Sequence, residues 1–209
     1  MGNKNISMAV IRRLPKYYRY LGDLFDKVIQ RNSSKELSEI IGFTASQIRQ
    51  DLNNFGGFGQ QGYGYNVEAL HNEIGKILGL DTKYNAVLVG AGNLGQAIAN
   101  YSGFKKAGFE IKALFDANPR LIGLKIRDFE VLDSVIIEEF VRDNNVDIAI
   151  ICIPKNGAQE LADKLVNAGI KGIWNFASID LNVPSSVIVE NVNLTESLFT
   201  LSYLMNAEN

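Results

Sequence analysis

The residues with the clearest chemical potential form a glycine-rich turn that directly follows the apolar run 85–89. The turn consists of Gly90, Ala91, Gly92, Asn93, Leu94 and Gly95. In a G-x-G-x-x-G turn, one glycine makes the bend, one lets the backbone approach a pyrophosphate, and one packs a helix on the strand. The N–H groups at the start of the next helix would bind the diphosphate. The alternative is that these glycines serve tight packing alone.

A carboxylate follows this turn at the spacing that dinucleotide binding requires. Asp116 ends a second apolar run and lies 21 positions after Gly95, close to the ~20 expected for the acid that hydrogen-bonds an adenosine ribose. The acid favours NAD(H) over NADP(H), because it would repel a 2′-phosphate. Asp116 could instead only cap the turn before Pro119. The order of strand, glycines, helix, strand and acid predicts a dinucleotide site.

The elements that would position this site lie in the C-terminal part of the chain. Strand-like apolar runs alternate there with helical segments, which predicts an α/β domain of the Rossmann type over residues 81–190, with a doubly wound parallel sheet. Ligands bind outside the carboxyl ends of such strands, so the turns at Pro154 and Ala177 are candidate walls of the pocket.

Residues 1–80 predict a separate winged-helix domain. A helix over residues 16–29, with Val28 on its apolar face, precedes two short helices that begin with capping-box sequences at 33–36 and 44–47. Gly42 lies between these two helices, as in a helix-turn-helix. The stretch 55–65 then holds five glycines interleaved with aromatic residues and glutamines, which is typical of a hairpin wing.

The charge distribution suggests a polyanionic partner for this first domain. Residues 1–20 carry five cations and no acid, although the whole chain has a net charge of −2. A basic segment can also be only a solvated surface, but arginine can pair with guanine, and glutamine with adenine. We therefore predict binding to double-stranded DNA. The candidate DNA contacts are Arg12, Arg13, Lys16, Ser46, Gln47, Arg49, Gln50, Gln60, Gln61 and Tyr63.

The last segment, 191–209, predicts a helix with an apolar stripe that includes Leu194, Leu198 and Leu201. This helix could pack on its own sheet or cross to a second copy of the chain. We expect an exchange of this helix, because exchanging one element is a low-cost route to a symmetric dimer.

No catalytic constellation accompanies the predicted dinucleotide site. A dehydrogenase needs a proton donor beside the hydride and a second domain to hold substrate, whereas residues 81–209 contain no histidine. Tyr101 could be a proton donor, a core aromatic residue or a sensor of ligand. The single histidine, His71, and the single cysteine, Cys152, make no metal site.

The same counts bear on the compartment. One cysteine excludes an internal disulfide and suits a reducing compartment, and Cys152 is expected to fill the core. We expect a cytoplasmic protein with no export signal and no membrane span.

A winged helix followed by an NAD-type Rossmann unit and a terminal apolar helix resembles the Rex family of bacterial redox-sensing transcriptional repressors. The resemblance covers nearly the whole chain, and the recognition helix at 44–52 and the wing at 58–65 are its most specific motifs. It implies a homodimer that binds a palindromic operator when NADH is scarce and releases it when NADH rises, with NAD⁺ competing. It also implies NAD(H) contacts at the glycine turn, at Asp116, and near Pro154 and Ala177.

The resemblance further implies a relay that couples ligand to DNA. In the family an arginine of the winged helix, a tyrosine of the nucleotide domain and an acid before the exchanged helix form this relay. Arg19 and Tyr101 match the first two positions, but Asn193 stands at the third. An amide can hydrogen-bond both partners yet cannot form an ion pair, which would weaken the relay.

Two rival functions stay open on the sequence alone. One is a small NAD-linked oxidoreductase, which would turn over a hydroxy or oxo substrate. The other is a CoA-binding module, because CoA-ligase subunits use a similar fold. Asp116 favours NAD over CoA.

Overall fold

A computed structural model describes residues 6–56, 59–60 and 63–207, with only the backbone of 59–60. The chain divides into two compact units, Met1–Thr82 and Lys83–Asn209. The predicted DNA contact Gln61 lies outside the described residues. Within them, no helix is both long and apolar enough to cross a membrane.

The first unit is a bundle of short helices with a small antiparallel sheet. Its elements are α1 (Met8–Ile11), α2 (Leu14–Asp26), β1 (Arg31–Asn32), α3 (Ser34–Ile41), α4 (Ala45–Asn53), β2 (Gly59–Gln60), β3 (Gly64–Asn66) and α5 (Val67–Ile77). The sheet order is β1-β3-β2, and β2 and β3 pair as an antiparallel hairpin. This is the helix-turn-helix with a wing that the sequence predicts.

The capping sequences explain where α3 and α4 begin. Ser33 Oγ accepts from the Glu36 N–H at 3.1 Å, and Glu36 Oε2 accepts from the Ser33 N–H at 2.7 Å, a complete capping box. Thr44 Oγ1 caps α4 by accepting from the Gln47 N–H at 3.1 Å. Gly42 ends α3 in the left-handed conformation, with φ of 78°. The two helices are thus set by local chemistry.

The end of α2 differs from the prediction. The helix ends at Asp26, and Val28 has φ of 61° and is 80% exposed. The apolar spacing that places Val28 on the buried face therefore continues past the end of the helix. The buried face consists instead of Leu14, Tyr17, Leu21 and Leu24.

The second unit is a seven-stranded sheet flanked by helices. Its elements are β4 (Tyr84–Val89), α6 (Asn93–Ala99), α7 (Gly103–Lys106), β5 (Phe109–Asp116), β6 (Lys125–Ile126), β7 (Phe129–Asp133), α8 (Ile137–Asp143), β8 (Ile148–Ile151), α9 (Ala158–Asn167), β9 (Gly172–Asn175), β10 (Ile188–Asn191) and α10 (Leu194–Ala207). The order is β10-β9-β8-β4-β5-β7-β6, and every pairing is parallel except β6 with β7.

This architecture confirms the predicted α/β fold class, with two additions. A hairpin of β6 and β7, which no sequence pattern indicates, lies at the sheet edge. A 3₁₀ turn at Ser134–Ile136 stands directly before α8. One face of the sheet packs on α8 and α9 through residues such as Phe115, Ile137 and Leu165.

The opposite face of the sheet is covered unevenly. Around β4, α6 covers Ala86 and Leu88. Toward the β10 edge, the sheet instead leaves an apolar hollow of about 360 Å³, lined by Ile150, Trp174 and Ile188 among others. Ile188 is 69% exposed, and none of the residues of α10 is buried. The second unit therefore carries two apolar surfaces that its own described residues do not cover.

Candidate functional site

The three glycines of the turn differ in what the protein itself requires of them. Gly90 has φ of +102°, and a Cβ there would lie 2.6 Å from the Cys152 carbonyl oxygen. A Cβ at Gly95 would overlap the Gly90 carbonyl oxygen. Gly92 has an ordinary φ of −73°, and a Cβ there would meet no atom within 4 Å. Neither backbone strain nor packing requires Gly92, which leaves space for the close approach of a ligand.

Asp116 braces the glycine turn. Its Oδ2 accepts from the Ala91 N–H at 2.7 Å, and its Oδ1 accepts from the Asn118 N–H at 2.8 Å. The carboxylate thus fills the turn-capping role that the sequence left open and also links β5 to the loop after β4. Each oxygen retains a further acceptor position, because an ionised carboxylate accepts about four hydrogen bonds. A ribose hydroxyl could donate to one of them.

A cleft of about 610 Å³ lies beside this turn, at the carboxyl ends of β4, β5 and β8. It is lined by Gly90, Gly92, Asp116 and Pro154, together with residues of the loop before α9. Its volume lies in the range of small-molecule sites. The structure therefore brings together the glycine turn, the acid and Pro154, and the residues present fit a dinucleotide.

Cys152 lies on the wall of the same cleft. Burial raises the pKa of its thiol to about 12, so the thiol is protonated at neutral pH. A thiol in that state is a poor nucleophile and oxidises slowly, because the thiolate is the reactive form.

Tyr101 lies in a different hollow, of about 330 Å³, with Phe109 and Arg127. Its side chain is 62% exposed, and its ring centroid is 4.9 Å from that of Phe104. The exposure excludes the role of a core aromatic residue. A sensor of ligand or a proton donor remains open for this side chain.

Ala177 and Asn193 lie in a third hollow, of about 170 Å³, with Asp180 and Asn191. Asn193 Oδ1 accepts from the Thr195 N–H at 3.1 Å and from Thr195 Oγ1 at 2.7 Å. Asn193 therefore caps the first turn of α10. Its predicted part in a relay stays a prediction.

The recognition helix α4 has the two faces that the sequence predicts. Ile48 and Leu52 are buried, whereas Ser46, Arg49 and Gln50 are exposed. Gln47 is half-buried. Arg49 Nη1 donates to Ser34 Oγ at 2.9 Å, which holds the arginine between α3 and α4.

A buried polar cluster joins α4 to α2. Asp51 is 3% exposed and accepts from Arg13 Nε at 2.6 Å, from Arg13 Nη2 at 2.7 Å and from Tyr17 Oη at 2.6 Å. Two of the guanidinium nitrogens of Arg13, a predicted DNA contact, are therefore committed inside the unit. Positions 48, 51 and 52 share one helix face, so the helical spacing itself could have revealed that Asp51 is buried.

The ionisation of this cluster follows from its partners. Burial would raise the pKa of the Asp51 carboxyl, but the hydrogen bonds from Arg13 and Tyr17 outweigh it and hold the pKa below its ordinary 3.8. Burial and the hydrogen bond to Asp51 raise the pKa of the Tyr17 hydroxyl. The cluster is thus an ion pair with a neutral phenol at neutral pH.

The wing is braced by an arginine that the sequence analysis missed. Arg31 Nη1 donates to the Tyr63 carbonyl oxygen at 3.3 Å, and Arg31 Cζ lies 5.7 Å from the centre of the Tyr63 ring. Tyr63 is 68% exposed, and Gln60 lies on β2. Residues 55–65 contain no lysine or arginine, so Arg31 gives this region a positive charge.

The remaining predicted cations lie on the surface of the first unit. Arg12 and Arg19 are exposed, and Arg19 Cζ is 4.9 Å from the centre of the Tyr20 ring. Lys16 Nζ lies 4.8 Å from the centre of the Phe43 ring, directly before the cap of α4. Lysines and arginines commonly contact phosphates in protein–DNA complexes, and the contacts of these cations stay predictions.

Two family models match the chain. Residues 5–53 match "Putative DNA-binding protein N-terminus", and residues 81–179 match "CoA binding domain". The redox-sensing transcriptional repressor Rex of Clostridioides difficile (strain 630) is 82% identical over 205 residues, which are 98% of each protein. The chain belongs to the Rex family.

Other members of the Rex family agree along nearly the whole length. The Rex protein of Thermoanaerobacter sp. (strain X514) is 65% identical over 97% of this chain and 91% of that protein. The crystal structure of RSP with β-NAD⁺ and operator DNA is 65% identical, with a TM-score of 0.91 over 97% of this chain and 94% of that chain. The structure of RSP with β-NADH is 62% identical, with a TM-score of 0.89 over 97% and 95%.

Proposed function

We propose that this protein is a redox-sensing transcriptional repressor that binds operator DNA and releases it when NADH binds. The single observation that carries this proposal is the open space above Gly92, beside a turn that Asp116 braces. That space fits a pyrophosphate, and the relative RSP is known in complex with both β-NAD⁺ and β-NADH. The ligands NADH and NAD⁺ would compete for the same cleft.

The cleft favours binding over turnover. The relatives are named redox-sensing transcriptional repressors, and neither Cys152 nor Tyr101 is well placed to react with a ligand in the cleft. Cys152 holds its proton, with its pKa raised by burial to about 12, and Tyr101 lines another hollow. The redox state would therefore be sensed through the bound nicotinamide and not through a protein thiol.

The CoA alternative finds support in one family model but has a weaker physical basis. CoA lacks the second ribose of NAD and carries a phosphate on the 3′-oxygen of its adenosine. The Asp116 carboxylate would repel a phosphate on the adenosine ribose, whereas it accepts a hydrogen bond from a free hydroxyl. We therefore place NAD(H) in this cleft.

The DNA partner follows from the first unit. The exposed face of α4 carries Ser46, Arg49 and Gln50, and Arg12 and Lys16 supply nearby charge. A recognition helix enters the major groove with such side chains, while lysines and arginines contact phosphates. Arg31 and Tyr63 would lie along the DNA backbone at the wing.

A homodimer on a palindromic operator is the assembly that best fits the bare surfaces of the second unit. The exposed residues of α10 include Leu198, Phe199 and Leu201, and the sheet presents the hollow around Trp174. Exchange of α10 between two copies would cover both surfaces. Two recognition helices would then meet two half-sites about one helical turn apart. The cytoplasm, where DNA and NADH meet, is the expected location.

Release would follow from a population shift. NADH binds more tightly to a dimer in which the recognition helices no longer match the spacing of successive major grooves. NAD⁺ fits the same cleft without that preference. The protein would thereby report the ratio of NADH to NAD⁺.

The first prediction tests the cleft with Gly92→Ala. Because the backbone and the packing tolerate a methyl group there, we expect the variant to fold and to bind DNA as the wild type does. Its affinity for NADH should fall at least tenfold, about 1.4 kcal/mol, since the methyl group occupies the approach of the pyrophosphate. Duplexes that the wild type selects from a random pool serve as the operator, and gel shifts with NADH, NAD⁺ and CoA give the readout.

Three results would contradict the proposal. The first is wild-type DNA binding that stays constant while NADH is titrated. The second is release by CoA at concentrations where NADH has no effect, which would favour the rival module. The third is consumption of NADH with a hydroxy or oxo substrate, which would indicate an oxidoreductase.

A further inference from the structure

We propose that Asn175 and Asn191 couple the dinucleotide cleft to the terminal helix α10, as positioning residues for the release of DNA. The inference rests on the proposed function, since it concerns how a ligand in the cleft changes the assembly. It is distinct from the predicted relay through Arg19, Tyr101 and Asn193. It uses only contacts within the second unit.

Backbone hydrogen bonds form a continuous row along the carboxyl edge of the sheet. The row starts at the glycine turn, where the Gly90 N–H donates to the Phe115 carbonyl at 2.8 Å. It continues from the Cys152 N–H to the Val89 carbonyl at 2.7 Å, and from the Phe176 N–H to the Ile151 carbonyl at 2.9 Å. The last bond, from the Val192 N–H to the Asn175 carbonyl at 2.8 Å, ends two residues before α10.

The side chain of Asn175 stabilises the last pairing of this row, between β9 and the end of β10. Its side chain is fully buried, and its Nδ2 donates to the Ile179 carbonyl and to Asn191 Oδ1, each at 2.8 Å. Its Oδ1 accepts from the Ala177 N–H at 3.0 Å. A buried amide is costly unless its donors and acceptors are satisfied, so this arrangement fixes the loop 176–180 and the end of β10 together.

Asn191 closes the arrangement from the other side. Its Nδ2 donates to Asp180 Oδ1 at 3.2 Å. One amide therefore joins the loop after β9 to the end of β10, directly before α10. The loop 176–180 follows β9 at the edge of the sheet where the cleft lies. A ligand that displaces the strand ends would therefore also displace the residues directly before α10, through the hydrogen bonds of Asn191.

The residues that lead into α10 matter because this helix is little packed within the described chain. All of its residues are described and none is buried. The direction of the helix therefore depends strongly on the few residues that precede it. A small rotation at Asn191 would become a large displacement at the end of a helix of 14 residues.

The test is Asn191→Ala in the full-length protein, with NADH as the probe. We expect NADH affinity, measured by isothermal titration calorimetry, and operator affinity without ligand to stay within about twofold of wild type. The factor by which NADH weakens operator binding should fall at least fivefold, because the ligand still binds but its effect no longer reaches α10. Asn167→Ala, at an exposed position at the end of α9, is the control and should couple as the wild type does.

Exchanging the carboxylate at position 180 with the amide at position 191 distinguishes coupling through Asn191 from a merely structural role of this residue. Asn191→Asp alone places a carboxylate beside Asp180 and should lose coupling. The double variant Asp180→Asn with Asn191→Asp restores a donor at 180 and an acceptor at 191 without changing the net charge, so we expect it to regain coupling. If Asn191→Ala fails to fold, this pair of variants decides the same question.

Two outcomes would overturn the inference. If NADH weakens operator binding in Asn191→Ala as much as in wild type, Asn191 does not couple the cleft to α10, while the proposed function stands. Loss of coupling that the double variant does not regain shows that the network only supports the fold. A wild type that keeps its operator at every NADH concentration contradicts the proposed function itself, and the inference with it.

Discussion

The recognition helix α4 and the terminal helix α10 stand in opposite relations to their own units. In α4, Ile48 and Leu52 are buried and Asp51 is paired inside the unit, so only its polar face is left for a partner. In α10, Leu198 and Phe199 are 60% and 69% exposed, so its apolar face is left instead. The apolar face of α4 is therefore packed within its own unit, whereas no described residue of the chain buries the apolar face of α10.

The difference has an energetic basis. Burying one large apolar side chain contributes about 1.5–3 kcal/mol, and α4 receives this contribution within its own unit. An isolated helix as short as α10 is marginal in water, so it needs a packing surface. In the proposed dimer, the hollow around Trp174 of a second copy would supply that surface. We infer that α4 is stabilised by its own unit, whereas α10 needs a second copy of the chain for its packing.

The largest expected effect comes from removing the apolar face of α10. The double variant Leu198→Glu with Leu201→Glu should convert the proposed dimer to a monomer, because two charges would have to be buried. Operator affinity should fall at least about 100-fold, since the two half-sites would no longer be bound together. Sedimentation velocity and gel shifts measure the two effects.

Asn206→Glu, which adds a charge at a polar position of the same helix, is the matched control. This variant should leave the molecular mass of the assembly and the affinity for operator DNA unchanged. A double variant that stays dimeric would show that α10 does not form the interface.

The second prediction tests whether the ion pair between Arg13 and Asp51 stabilises α4 within the first unit. Arg13→Ala leaves the Asp51 carboxylate buried without its cation, and it should destabilise the first unit by about 2–3 kcal/mol. Urea unfolding followed by circular dichroism gives the value. Lys76→Ala removes an exposed pair with Glu73, 3.4 Å apart, and should cost less than about 0.5 kcal/mol. Equal losses in the two variants would contradict an internal role for Arg13.

The smallest effect is a dependence on pH. The pKa of Asp51 lies below 3.8 in the folded unit, so the pair with Arg13 stabilises the unit above that pH. The stabilisation is lost as the pH falls through the folded pKa. Wild type should therefore exceed Asp51→Asn in stability at about pH 6, and the gap should narrow toward about pH 3. A gap of constant size would show that the charge of Asp51 is not what stabilises α4.

Local chemistry explains why so much of the fold could be predicted. Caps at Ser33 and Thr44 fix helix starts through neighbours three residues away, and the glycine turn links a buried strand to a helix within six residues. Periodic patterns fail at the ends of elements and in very short elements. Val28 continues an apolar spacing after the helix has ended, and the two residues of β6 are too few to show a period.

The candidate site divides in the same way. The glycine turn, Asp116 and Pro154 meet because parallel strands end at one edge, which the order of strands already implies. In the sequence, Arg13 is one of five cations within the first 20 residues. Only the fold brings it to Asp51, 38 positions away. Tyr101, Ala177 and Asn193 line hollows outside the cleft, and their predicted roles in ligand binding or a relay stay predictions.

The bare face of the sheet also has a spectroscopic consequence. Trp174, the single tryptophan of the chain, lies on this face, with its ring centroid 4.6 Å from that of Phe176 and 5.6 Å from that of Phe104. Indole emission moves to shorter wavelength when water is excluded from the ring. The protein therefore carries its one tryptophan at the surface where the proposed second copy would bind, and dissociation on dilution would move the indole emission to longer wavelength without any added dye.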